Sequence, residues 1–305
     1  MKFKDKVSII IPTYNRAKLI KKSINSILNQ TYDNIEVIVV NDCSTDNTEE
    51  VIKKIKDDRI RYIKLKKNSG ACAARNAGIK VATGKYINFN DSDDEYLPTK
   101  IETQYNNLIK NNSDMDFCRI MIHINNLEYP IPSESHKKNI LKQKYIEELV
   151  NGNYISTPTM LIKSKIIKKV LFDEQLPRFQ DYDLVLRMIP GIKVSYTDEI
   201  LINVYNSKDS ISNSNERLLS AVKIMINKKY DITDEQKNKL NDTLINIYSN
   251  AMNATFDRIK NEFDTVTREY NLLNKEYKKI YSEYNSIIES KRWKLMNKIL
   301  RILRR

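Results

Sequence analysis

Three carboxylates crowd into four residues at Asp91-Ser92-Asp93-Asp94, directly after the apolar-alternating run Tyr86-Ile87-Asn88-Phe89. Carboxylates packed at a strand end repel one another unless they share a cation. Mg²⁺ or Mn²⁺ suits them, because these hard ions take oxygen ligands in octahedral geometry and keep positions open for substrate phosphates. The same residues also suit a plain acidic turn before a helix that Pro98 helps to start. A second constellation is Arg178-Phe179-Gln180-Asp181-Tyr182-Asp183, running on to Arg187. Asp183 and Arg187 stand four apart, close enough to pair on a helix. That leaves Asp181 without a local partner at a helix start, where negative charge is stabilised; it is a candidate proton acceptor, or merely a helix cap.

The elements that must position these residues are periodic. Val7 to Ile11 predicts a short buried strand, and Leu19, Ile20, Ile24, Ile27 and Leu28 fall at helical spacing. Ile35 to Val40 predicts a second strand. Asp46 and Glu49 have capping-box spacing for a helix through about Ile55. Ile60 to Leu65 predicts a third strand, and Ala71 to Val81 a helix that Gly84 separates from the strand before Asp91. Strands alternating with helices predict βαβ units, an α/β class and a mostly parallel, Rossmann-like sheet. Ligands of such sheets bind beyond the carboxyl ends of the strands, and Pro12-Thr13-Tyr14, Asp42 and Asp91 to Asp94 all fall there.

The segments IIPTYNR at 10–16, VVNDCSTDNT at 39–48, NSGACAARNAGI at 68–79 and INFNDSDDEYLP at 87–98 together resemble a family 2 glycosyltransferase of the GT-A fold. The resemblance covers roughly residues 5 to 210. It implies an inverting transferase that takes a sugar from a nucleotide donor with Mn²⁺ or Mg²⁺. By that resemblance Pro12, Thr13 and Tyr14 line the base, with Tyr14 as a stacking face, and Asp42 accepts a hydrogen bond from it, most simply the uracil N–H. Arg75 lies near the nucleotide, Ser92 contacts the donor, Asp91 meets ribose or metal, and Asp93 is the direct metal ligand. Asp94 binds Arg75 or a backbone N–H instead. The family's acidic pair before a helix corresponds to Gln180-Asp181, leaving Asp181 as the general base. A further metal or phosphate contact, commonly His, is expected after that helix; Tyr205 to Ser210 holds none, with Lys208 the substitute, and His123 and His136 lie earlier in the chain. Each of these residues also has a simpler reading, as a turn former, helix cap or solvated side chain.

The remainder of the chain reads differently. Residues 111 to 160 carry little pattern, with Ser156-Thr157-Pro158-Thr159 a candidate acceptor loop. From Phe256 through Ile259, Phe263, Val266, Tyr270, Leu273, Tyr277, Ile280 and Tyr284 to Ile287 the apolar steps alternate three and four, a heptad repeat. This predicts a coiled coil and a homodimer, the alternative being a hairpin with residues 214 to 250. Seven of the last fifteen residues are basic, in a chain of 305 with a net charge of +13. Leu295, Ile299, Ile302 and Leu303 share one helical face beside Trp293, a composition suited to anionic membrane. Nucleic acid is disfavoured as a partner, since the cations come with an apolar face and no recognisable binding motif. Glu289 to Trp293 superficially resembles the QxxRW signature of processive synthases, but its first residue is wrong. The expected organisation is a GT-A domain at 1–213, a helical linker at 214–251, a coiled coil at 252–290 and a basic amphipathic tail at 291–305.

No apolar run approaches the ~20 residues that span a bilayer, and Met1 to Asp5 lack a signal-peptide character. Cys43, Cys72 and Cys118 are odd in number and not at metal spacing, which fits reduced thiols. The expectation is a cytoplasmic enzyme held at the inner face of the plasma membrane. It would move a sugar, first of all from a UDP-sugar, to a hydroxyl of a glycan or lipid-linked acceptor. A dTDP- or GDP-sugar donor is the alternative within enzymes, and a nucleotide-binding coiled-coil scaffold the alternative outside them.

Overall fold

The computed structural model describes residues 5–124, 127–205 and 214–303. The strands are β1 (Val7–Thr13), β2 (Ile35–Asn41), β3 (Ile60–Lys64), β4 (Tyr86–Phe89), β5 (Glu95–Tyr96), β6 (Met115–Ile124), β7 (Leu127–Ile131), β8 (Met160–Lys163) and β9 (Val194–Tyr205). Between and after them run the helices α1 (Ile20–Leu28), α2 (Thr48–Lys53), α3 (Ala71–Val81), α4 (Lys100–Lys110), α5 (Glu134–Leu141), α6 (Tyr145–Leu149), α7 (Ser164–Val170), α8 (Gln180–Met188), α9 (Asn215–Ile226), α10 (Asp234–Glu289) and α11 (Lys291–Leu303).

The strands form one sheet in the order β3-β2-β1-β4-β8-β6-β9-β5, with β7 paired to β6. β3, β2, β1 and β4 are parallel, and β8 then joins β4 antiparallel. Every residue of β1 and β2 is buried, as expected for parallel strands covered on both faces. α1 seats Ile20, Ile24 and Ile27 in the core with Ile9, Ile11, Val37 and Val39. On α3, a Cβ added to Gly78 would stand 2.5 Å from Ile10 Cγ2, so this glycine lets the helix lie directly on β1. Arg75, one turn earlier, is positioned by that contact. The chain leaves β1 to build β2 and β3 on one side and β4 on the other, so a crevice opens where the order reverses.

Two local expectations are corrected. α2 ends at Lys53 rather than about Ile55, and no reciprocal capping box forms. Asp46 Oδ1 accepts the Thr48 N–H at 3.0 Å, while Glu49 turns to Lys53 and Lys64, both at 2.6 Å. Two lysines, one of them on β3, outcompete a single backbone N–H. β3 also stops one residue short, at Lys64, and is only half-buried.

The chain forms two compact units, Met1–Ser249 and Asn250–Arg305. In the first, α9 buries Leu218, Ala221, Val222 and Met225. The heptad positions of the second lie on α10, a 56-residue helix. Phe256, Phe263, Tyr270 and Tyr277 are all more than 60% exposed. α11 has no buried residue, and among the described residues no helix is long and apolar enough to cross a membrane.

Candidate active site

The loops after β1 and β2 are tied together. Asp42 N–H donates to Thr13 O at 2.8 Å, continuing the β1–β2 ladder past its last pair. Asn15, in the left-handed region at φ 51°, receives the Thr45 N–H on its Oδ1 at 2.8 Å and gives its own N–H to Ser44 Oγ at 2.9 Å. Arg16 N–H donates to Thr48 Oγ1 at 2.8 Å. These bonds fix Pro12 and Thr13 at the crevice floor and leave Tyr14 41% exposed at its edge, a ring free to stack.

Asp42 is buried, and its two carboxylate oxygens accept the Ser69 and Gly70 N–H groups at 2.7 Å each. Gly70 has φ 89°, a conformation that favours glycine, and it leads directly into α3. Asp42 therefore shapes the loop that starts the Arg75 helix, a role the sequence did not indicate. Carboxylate oxygens have further lone pairs, so this role does not prevent a ligand bond.

Arg75 is 6% exposed and bridges the two halves of the site. Its Nη2 donates to Asp91 Oδ1 at 2.6 Å and its Nη1 to Gln180 Oε1 at 2.8 Å, with Phe172 beneath at 5.4 Å. Burial pulls its pKa down, but Asp91, Cys72 and Asp181 outweigh burial and raise it; the group stays charged. Its Nε and Thr13 Oγ1 are buried without hydrogen-bond partners.

The acidic triplet divides. Asp91 and Asp93 are half-buried, and Asp93 Oδ2 lies 3.9 Å from Arg16 Nε. Asp94 turns inward. Burial, then the charges of Asp91 and Asp93, push its carboxyl well above the usual range, while the Tyr205 backbone N–H opposes them. Of the two alternatives for Asp94, the structure gives the backbone N–H.

α8 begins after Phe179, which is left-handed at φ 59°, a conformation a bulky residue adopts at a cost. Asp183 is fully buried and accepts Arg187 Nη2 at 2.7 Å, Lys228 Nζ at 2.7 Å and Tyr230 Oη at 3.0 Å. The expected Asp183–Arg187 pair thus forms, with α9's C-terminal flank added. Asp181 is left facing the cavity, and among the described residues its side chain accepts only the Tyr182 N–H, at 2.8 Å. Burial raises its pKa, the Tyr182 N–H and Arg75 lower it, Asp91 raises it, and the net direction is upward. The expected helix-terminal stabilisation of the anion is outweighed by burial, which makes this carboxylate more basic.

One cavity of about 630 Å³ is lined by all the candidates: Pro12, Thr13, Tyr14, Asp42, Arg75, Asp91, Ser92, Asp93 and Asp181. Thr157 of the candidate acceptor loop joins them. Arg16, Asn68, Arg178 and Arg217 also line it. Arg16, Asn68 and Arg178 fall inside the sequence motifs with no role indicated for them, whereas no motif marks Arg217. Lys208 lies outside the described residues.

Among the described residues no group of three or more His, Cys, Asp or Glu gathers to hold a metal. Asp91 and Asp93 nevertheless face one cavity from one strand end. Two carboxylates fit an octahedral Mg²⁺ or Mn²⁺ completed by diphosphate oxygens and water, not an all-protein cage.

The family model described as Glycosyl transferase family 2 matches residues 8–171. The uncharacterized glycosyltransferase MJ1057 of Methanocaldococcus jannaschii is 34% identical over 242 residues, covering 76% of this chain and 80% of that protein. Escherichia coli WfaP, described as a UDP-Glc:alpha-D-GlcNAc-diphosphoundecaprenol beta-1,3-glucosyltransferase, is 51% identical over 98 residues, 32% of this chain and 39% of WfaP. Several further relatives are matched over less than two thirds of their own length. The crystal structure of S. aureus TarS 1-349 in complex with UDP-GlcNAc aligns with a TM-score of 0.64 at 22% identity, over 80% of this chain and 72% of that one, a likeness of fold. The family match spans over half of the chain and reaches from β1 through the Arg75 helix and the acidic triplet, so the chain belongs to glycosyl transferase family 2 and is a glycosyltransferase.

Proposed function

We propose that this glycosyltransferase inverts the anomeric carbon of a nucleotide-sugar, with a UDP-sugar as donor and Asp181 as general base. The observation that carries the reading is that one cavity sets a carboxylate of raised basicity, Asp181, beside a buried guanidinium, Arg75. Asp181 takes the proton of an acceptor hydroxyl, which attacks from the face opposite the nucleotide. Negative charge grows on the departing diphosphate, and Arg75 stabilises it where it develops. Tyr14 stacks on the base, Asp42 accepts its N–H, and the unpartnered Thr13 Oγ1 and Arg75 Nε are buried in two residues that line the nucleotide's side.

Asp93, with Asp91 beside it, would hold Mn²⁺ or Mg²⁺ arriving with the diphosphate, and such an ion supplies Lewis-acid neutralisation of the leaving group. The UDP-Glc in WfaP's description and the UDP-GlcNAc bound to TarS support a uridine donor. WfaP's diphosphoundecaprenol acceptor supports a lipid-linked glycan precursor at the cytoplasmic membrane face. The exposed stripe of α10 supports a homodimeric coiled coil, and the cationic, Trp-bearing α11 supports attachment to anionic lipid. A panel of UDP-, dTDP- and GDP-sugars with Mn²⁺, scored by thermal shift and slow donor hydrolysis, tests the reading. Stabilisation and hydrolysis confined to UDP-sugars are expected; a response to no nucleotide sugar would refute it.

A further inference from the structure

The cavity contains more positive charge than the donor reading uses. Arg178 and Arg217 line it together with Asp181, and they arrive from different elements. Arg178 stands three residues before Asp181, on the turn that Phe179 closes in its left-handed conformation. Arg217 comes from the first turn of α9, a helix whose C-terminal flank is pinned to α8 through Lys228 and Tyr230 on Asp183. Neither side chain makes a hydrogen bond or ion pair within the described residues. Their surroundings differ from that of Arg75, which spends two of its donors on Asp91 and Gln180. Arg178 is half-buried, and burial lowers its pKa while Asp181 opposes that effect.

Among the described residues neither the half-buried Arg178 nor the exposed Arg217 has a hydrogen-bonded anion, the bidentate partner a guanidinium is shaped to hold, and Asp181 acts on Arg178 through its charge alone. The donor's diphosphate leaves on the side of Arg75 and the acidic pair, whereas the acceptor hydroxyl must rest against Asp181. Arg178 stands within reach of the Asp181 charge, and Arg217 lines the same cavity, so an anion held by the two is assigned to the acceptor.

We infer that Arg178 and Arg217 form an acceptor subsite for a phosphate or diphosphate group, so that the acceptor is an anionic sugar phosphodiester or sugar diphosphate and not a neutral glycan. The inference rests on the proposed donor and base assignment, and it makes the negative charge of the acceptor part of its recognition.

The test uses the full chain and two probes, N-acetylglucosamine linked through a diphosphate to a medium-length alkyl alcohol, and the same sugar as the neutral alkyl glycoside. Binding is measured by calorimetry with and without saturating UDP. With UDP present, the wild type should prefer the diphosphate probe by about tenfold or more, that is ~1.4 kcal/mol or more, since charge-assisted bonds to the two guanidinium groups are made only by the anionic probe. R178Q/R217Q should abolish that preference while UDP affinity stays unchanged, and R178K/R217K should restore part of it.

Loss of UDP affinity in R178Q/R217Q would assign the arginines to the donor diphosphate and overturn the inference. A wild type that binds UDP but shows no preference for the diphosphate probe would overturn it equally. A wild type that binds no nucleotide yet prefers the diphosphate probe through these arginines would refute the donor reading and support the anion subsite. Far-UV dichroism and melting of both double variants identify a misfolded protein, and the lysine variant provides the second measurement in that event.

Discussion

Gln180 Oε1 accepts a hydrogen bond from Arg75 Nη1 at 2.8 Å, and the Gln180 Nε2 in turn donates to Leu176 O at 3.1 Å. Arg75 thereby reaches the segment that carries Asp181 through a neutral acceptor, while among the described residues the one carboxylate it hydrogen-bonds is Asp91. An acid at position 180 would share that charge; glutamine leaves it available to the diphosphate.

A pH prediction follows from this pairing. Asp181 acts as a base only when ionised, so activity falls as pH falls through its pKa, which burial already raises. Gln180→Glu adds a negative neighbour and should move the acidic limb of kcat/KM to higher pH, while raising the donor KM. Gln180→Leu should raise the donor KM and leave the limb in place. An unshifted limb in Gln180→Glu would separate Gln180 from the base.

Asp93→Ala should remove Mn²⁺ dependence from nucleotide-diphosphate binding and abolish turnover. Calorimetry with UDP in Mn²⁺ and in EDTA measures the first effect. Wild-type activity that persists in EDTA contradicts the metal assignment.

Asp183 links α8 to Arg187, Lys228 and Tyr230 while fully buried. Breaking a buried charge pair by removing one partner costs ~3–5 kcal/mol. Asp183→Ala should sit near the lower end, about 3 kcal/mol, because both cations keep partial access to water. Urea unfolding checks this; a change within experimental error would show that packing alone holds α8 and α9 together.

The parallel half of the fold was legible because β1, β2 and β4 are compact apolar runs closed by turn residues, with only β3 interrupted by charge, and the candidate site was legible because its side chains stand at those closures. The other half was not. β6 pairs with β9 about eighty positions later, with a register shift at Arg119, and no local periodicity encodes a partner that distant. Asp181 could be read from its helix start, but burial, which sets its basicity, is a property of the folded cavity. Glu49 shows the same limit in small form: its spacing promised a cap, and a lysine on a neighbouring strand took the carboxylate. Arg217 had no signal, since its place in the cavity depends on how α9 docks.

Deletion of residues 291–305 should release the protein from anionic vesicles in a salt-dependent way, at roughly 1 kcal/mol per cation near the surface, and leave its dimers intact. Truncation from about residue 252 should also give monomers. Light scattering that finds the full-length chain monomeric would contradict the coiled coil, and vesicle binding insensitive to salt would contradict the tail.

The central claim is that Asp181 supplies the base and that the nucleotide is held without it. Asp181→Asn preserves size and most hydrogen bonding but cannot accept the proton, a loss of ~10²- to 10⁴-fold in rate. The deciding measurement is single-turnover sugar transfer by Asp181→Asn alongside its calorimetric affinity for the donor. Transfer reduced by that factor with donor affinity unchanged from the wild type is the predicted result; transfer that persists, or donor affinity that collapses with it, would contradict the account.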